Sequence, residues 1–123
     1  MKEDLFNLLR NGADANTSDA NGFTLLMHFT RNNDTLSMGL LLSYAAKINE
    51  KDALNMTALD YAIKDKHLDA VEFLVNNGAH VSSETYMYAI KMGNRDIIDF
   101  LDSLDPDKYI FLKNKNKLKR QQI

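Results

Sequence analysis

Apolar residues in this chain come in short bursts separated by polar turns, and the spacing within each burst is helical rather than alternating. Leu25, Leu26, Met27 and Phe29 form the first clear burst, behind Thr24, whose hydroxyl can accept from first-turn amides as an N-cap. The predicted helix over residues 25–30 stops at Arg31-Asn32-Asn33-Asp34, a polar cluster with an asparagine suited to positive φ. A second helix follows, with Leu36, Met38, Leu40, Leu41 and Leu42 on its apolar side. The next pair repeats the plan. Thr57 with Asp60 predicts a capping box with a short acid, and Leu68, Val71, Phe73, Leu74 and Val75 lead to the stop at Asn76-Asn77-Gly78.

The recurrence has a fixed period of 33 residues. Asn11-Gly12-Ala13-Asp14-Ala15-Asn16 returns as Tyr44-Ala45-Ala46-Lys47-Ile48-Asn49 and as Asn77-Gly78-Ala79-His80-Val81-Ser82. Residues 22–29 align with residues 55–62. A unit of this size cannot bury its apolar face alone and must stack on neighbours. Leu5, Leu8 and Leu9 stand one period before Met38, Leu41 and Leu42, so the first residues read as the second helix of a partial unit. Ala89-Ile90-Lys91 matches Ala62-Ile63-Lys64 at a spacing of 27, so six residues are lost between Ser82 and Ser83, where a connecting turn should project. A shortened last unit suits a cap whose outer side meets water.

Gly22-x-Thr24-x-Leu26 and Thr57-Ala58-Leu59-Asp60-x-Ala62, with the glycine-alanine turns that follow, resemble the ankyrin repeat. Leu25 and Ala58 replace the proline of that family's T-P-L-H-x-A signature, Met27 and Asp60 replace its histidine, and Phe29 replaces its alanine. The resemblance covers about residues 3–104. It implies an all-α ankyrin-repeat solenoid of stacked antiparallel helix pairs, with short hairpin turns projecting as fingers. The expected organisation is a repeat domain over 1–104 (a half repeat, two full repeats, a shortened capping repeat) and a capping segment with a basic tail over 105–123.

With 123 residues the chain is one domain by length, large enough for a core. No cysteine is present, which removes disulfides and thiolate ligands and fits a reducing compartment. The opening Met1-Lys2-Glu3-Asp4 does not suit a signal peptide, so a cytoplasmic location is expected. The net charge of −2 hides a division: 10 Lys/Arg against 17 Asp/Glu in residues 1–112, then five basic residues and no acid in 113–123.

Chemistry finds little support. His28, His67 and His80 occupy three different register positions, so stacking does not bring them together, and metal binding needs three or four converging ligands. His67 falls in the mid-unit turn and reads as structural, while His28 shares its column with Tyr61 and Tyr88 and is expected to pack there. The pairs Asp14/Asp19 and Asp69/Glu72 are what a chain this acidic contains as solvated faces. No phosphate loop or activated nucleophile is visible. The expected protein is therefore not an enzyme, has no catalytic residue, cofactor, metal or small-molecule substrate, and is a monomer.

The resemblance implies that partners are met by the finger tips and the exposed side of each first helix. By register these are Asn21, Phe23, Arg31 and Asn32 in one repeat and Leu54, Met56, Lys64 and Asp65 in the next, with Ala20 and Ala53 beside them. Phe23, Leu54 and Met56 are large apolar residues at positions that normally face solvent, a composition suited to an adaptable binding surface. The competing reading is that they fold back and close the hairpins. Two fingers make a small interface, about 800 Å² per partner, fit for a peptide or loop of another protein. The alternative partner is nucleic acid or an anionic membrane surface, held by Lys113, Lys115, Lys117, Lys119 and Arg120. The same segment could pair with the acidic body of a second copy. Asp105-Pro106 begins a predicted helix and Tyr109–Leu112 an apolar cover ahead of that tail.

Overall fold

A computed structural model describes residues 2–105, with side chains from Asp4 onward. The expected Pro106 helix start, the cluster at Tyr109–Leu112 and the basic tail lie outside the described residues. Seven α-helices are present among the described residues and the only extended pairing is an isolated bridge, Ser18 with Thr24. The fold is all-α, as the repeat implied. Two compact units are distinguished, residues up to His80 and residues from Val81 onward.

The helix bounds of the first unit keep the period. α1 (Lys2–Arg10), α3 (Thr35–Ser43) and α5 (Leu68–Asn76) start one period apart, as do α2 (Leu25–Arg31) and α4 (Ala58–Lys64). α2 packs on α4 in one layer, α1 on α3 and α3 on α5 in the other, and the pairs α2–α3 and α4–α5 join the layers. The buried columns follow the same register. Leu26 and Leu59 are buried together, as are Phe29 and Ala62, and Leu5, Met38 and Val71. Removing a leucine-sized side chain from water in such a column contributes about 1.5–3 kcal/mol.

Local chemistry sets the boundaries. The Thr24 and Thr57 hydroxyls accept from the third-residue amides of α2 and α4 at 3.1 Å, and both capping boxes close, with the Met27 thioether and the Asp60 carboxylate as return acceptors. Asn33 and Lys66 take φ of 54° and 61° at the mid-repeat turn; Gly12, Ala45 and Gly78 take 99°, 69° and 98° after the second helix. Left-handed backbone thus recurs with the period even where the residue is not glycine. Stacking is braced between repeats: the Asn16 carboxamide accepts from Lys47 N at 2.7 Å, Asn49 repeats this to His80 N at 2.9 Å, and Asn33 accepts from Ala70 N at 3.1 Å.

One expectation is corrected and one register position is unequal. Leu36 is 70% exposed, because the helix turns Ser37, Met38 and Leu41 inward instead. Leu8 is 59% exposed although Leu41 and Leu74, at the same register, are completely buried; α3 and α5 each pack on the helix before them, α2 and α4, whereas α1 packs on α3.

The second unit is one helix pair, α6 (Ser83–Met92) against α7 (Arg95–Leu104). Ser82 caps α6 directly, so the segment that would form a finger is absent, and Gly93, at φ 79°, turns the chain into α7. Tyr86 is fully buried and its hydroxyl donates to Asp102 at 2.6 Å, tying the two helices together. Among the described residues no helix is long and apolar enough to cross a membrane.

Candidate functional site

Two fingers of the first unit are built by the same device. At the first, Asp19 N donates to Phe23 O at 3.0 Å and Gly22 N to Asp19 O at 3.0 Å; at the second, Asp52 N donates to Met56 O and Asn55 N to Asp52 O at 3.0 and 2.9 Å. Each aspartate also accepts two amides through one oxygen: Asn21 N and Phe23 N on Asp19 Oδ1 at 2.8 and 3.0 Å, Leu54 N and Met56 N on Asp52 Oδ1 at 2.9 and 3.0 Å. These carboxylate-to-backbone bonds are the local competition that makes aspartate a turn residue. Ala53 N donates to Asn21 O at 2.8 Å, which couples the two tips. The approach is close enough that a Cβ on Gly22 would lie 3.3 Å from Asp52 Cα, and Gly22 also has φ 74°. Both the close approach and the positive φ favour glycine there.

Between the fingers lies a groove of about 440 Å³, walled by Asp19, Asn21, Phe23, Arg31, Asp52, Ala53, Leu54 and Tyr61. Tyr61 is its floor, only 4% exposed. Its hydroxyl donates to the Asp52 carboxylate. The Phe23 ring meets the Tyr61 ring in a T-shaped arrangement, 5.5 Å between centroids and 88° between planes, and the Arg31 guanidinium sits 5.0 Å from the Tyr61 ring centre. Burial first, and then the bond to the Asp52 carboxylate, push the phenol up to about 12, so it is neutral at physiological pH. Burial pulls the Asp52 carboxyl upward, but the Tyr61 hydroxyl and the finger amides outweigh it and hold the group below its ordinary range. Arg31 makes a two-pronged contact with Asp65 at 2.9 and 3.3 Å, and that hydrogen bonding raises the guanidinium further. Both partners are partly open to water, which limits the pair to about 1 kcal/mol.

The groove brings together four of the residues expected from register: Asn21, Phe23, Arg31 and Leu54. Asp65 joins through Arg31. Asn32, Met56 and Lys64 are not among its walls. Asn32 instead lies 3.4 Å from the His28 ring, and Met56 is half-buried at the root of its finger. Phe23 divides the two readings: it is half-buried and partly folded against Tyr61. Leu54 is 76% exposed, the most open of the large apolar residues among those described. Sequence reasoning missed Asp19, Asp52 and Tyr61. The signal was the aspartate recurring one period apart just ahead of each tip.

His67 stands at the N-cap position of α5 without capping it through its side chain; its ring Nε2 lies 3.0 Å from Arg31 O in the neighbouring repeat, so it braces the stack. His28 does not pack in a column with Tyr61 but is exposed, because its shorter ring lies against Phe29 instead of reaching inward. Among the described residues no three His, Asp or Glu side chains are grouped to hold a metal ion.

Comparison with known proteins places these observations. A family model of ankyrin repeats, in three copies, matches residues 1–85. The ankyrin repeat protein FPV244 of fowlpox virus (strain NVSL) is 26% identical over 90 residues, which is 73% of this chain and 14% of that protein. The ankyrin repeat protein L271 of Acanthamoeba polyphaga mimivirus is 32% identical over 85 residues, 63% of this chain and 12% of that protein. The chain thus corresponds to a small part of the length of these relatives.

Proposed function

The chain belongs to the ankyrin-repeat family, whose repeats are typically non-catalytic modules mediating protein–protein interaction, and from that premise we propose that it binds a peptide or loop of another protein across its two fingers and the groove between them. The observation that supports this most is Leu54: a leucine 76% exposed on the wall of a preformed groove, on a finger fixed by five hydrogen bonds. An exposed aliphatic side chain on a rigid support is where apolar contact is gained at little cost in ordering. Around it Asn21, Phe23 and Arg31 offer polar, aromatic and cationic contacts, with Asn32, Met56, Lys64 and Asp65 extending the proposed surface along the helices. The reading places the module in the cytoplasm and gives it no cofactor.

Leu54→Asp tests it. Phe23→Asp is the less selective variant, because it also removes the ring contact with Tyr61. A partner captured by the native chain should be lost with Leu54→Asp while helicity and melting temperature stay unchanged. Retention of that partner would remove the groove from the account, and loss only on deleting residues 113–123 would transfer the function to the basic tail.

A further inference from the structure

The fingers differ at one oxygen. Asp52 Oδ1 takes the two finger amides and Oδ2 takes the Tyr61 hydroxyl, so both oxygens are engaged. Asp19 Oδ1 takes the same two amides of its own finger. The residue one period before Tyr61, however, is His28, and its ring turns to Phe29 and Asn32. Among the described residues Asp19 Oδ2 has no counterpart of the tyrosine hydroxyl, and the exposed carboxylate stands on the groove wall.

Charge narrows what can lie against it. Arg31, the cation of the groove wall, is already held by Asp65. Asp19, Asp52 and Asp65 therefore outnumber it, within a body where 17 acids face 10 bases. An acidic occupant would meet a like charge, and a neutral one would cover Asp19 without replacing its water. Beside Asp19 stand the half-buried Phe23 and the exposed Leu54, which favour apolar contact. A lysine or arginine offers both, a cationic head on an apolar stem.

We infer that the groove takes a short basic segment of the partner protein, with a Lys or Arg head on Asp19 Oδ2 and apolar side chains against Leu54 and Phe23. This rests on the finger reading above and adds the chemistry of the partner.

The test uses the full chain and two labelled peptides, (Lys-Leu)3 and its charge-reversed form (Glu-Leu)3, titrated by fluorescence anisotropy at low and high salt. The basic peptide should bind, the acidic one should not, and added salt should weaken the complex. Asp19→Asn keeps the oxygen that holds the finger amides but removes the charge; it should weaken the basic peptide by about three- to fivefold. His28→Tyr, which brings a hydroxyl to the register position of Tyr61, should weaken it similarly. Equal binding of the acidic peptide, or no effect of Asp19→Asn, overturns the inference. If in that case the natural partner is still lost with Leu54→Asp, the finger reading survives; if the partner also ignores Leu54→Asp, both fall. Self-association of the native chain that Asp19→Asn abolishes would make a second copy the occupant and overturn the assignment to a partner protein.

Discussion

The first and second fingers share a backbone and differ in what closes them. Both turn on an aspartate that gathers two amides, and both reach positive φ one residue after the tip, at Gly22 and Asn55. Beneath the second, Tyr61 is buried and bonded to Asp52; beneath the first, His28 is exposed and leaves Asp19 facing the groove. The period fixes where a residue stands, whereas size and hydrogen-bonding reach fix whether that position is closed or open. Binding surface arises where the register is kept and the closing partner is changed.

The widest test of that contrast is burial at one register position. Leu41→Ala should destabilise the chain by about 2–5 kcal/mol in urea unfolding, and Leu8→Ala, one period earlier but 59% exposed, by under about 1 kcal/mol. Equal losses would mean that α1 is covered as α3 is. Next comes the hydroxyl that distinguishes the fingers. Tyr61→Phe leaves Asp52 Oδ2 without its donor and should cost about 1–2 kcal/mol, while His28→Phe should stay within about 0.5 kcal/mol.

A smaller effect concerns the turns after each second helix. Ala45 holds φ 69° where Gly12 and Gly78 hold 99° and 98°. Left-handed backbone is costly to a residue with a Cβ, so Ala45→Gly should raise stability by about 1 kcal/mol and Gly78→Ala should lower it by a similar amount. The smallest is a pH dependence. Because the folded Asp52 carboxyl lies below its ordinary value of 3.8, it stabilises the fold above that value, and the contribution is lost as pH falls through the folded pKa. Stability measured against pH should therefore fall less steeply on the acid side in Tyr61→Phe than in the native chain.

The architecture was legible because it rests on repetition. The caps at Thr24 and Thr57, the left-handed Asn33 and Gly78, and the helices through residues 25–30 and 68–75 could each be read from residue type and period. The site was legible only in part. Register gives the outward positions, and so Asn21, Phe23, Arg31 and Leu54 were found. It does not say that a tyrosine hydroxyl reaches back nine residues to an aspartate, or that an arginine crosses to Asp65 in the next repeat. Leu36 was misread for a related reason: hydrophobicity marks a helix face, but burial needs a neighbour to cover it, as the exposed Leu8 also shows.

The central claim, that partner contact is made at the fingers and groove, is met most directly by amide chemical-shift mapping of the labelled chain against a partner it captures. The account predicts the largest shifts at Asp19, Asn21, Phe23, Ala53 and Leu54, with little change at α7. Shifts confined to residues 83–104 or to the basic tail, with those five amides unmoved, would contradict it.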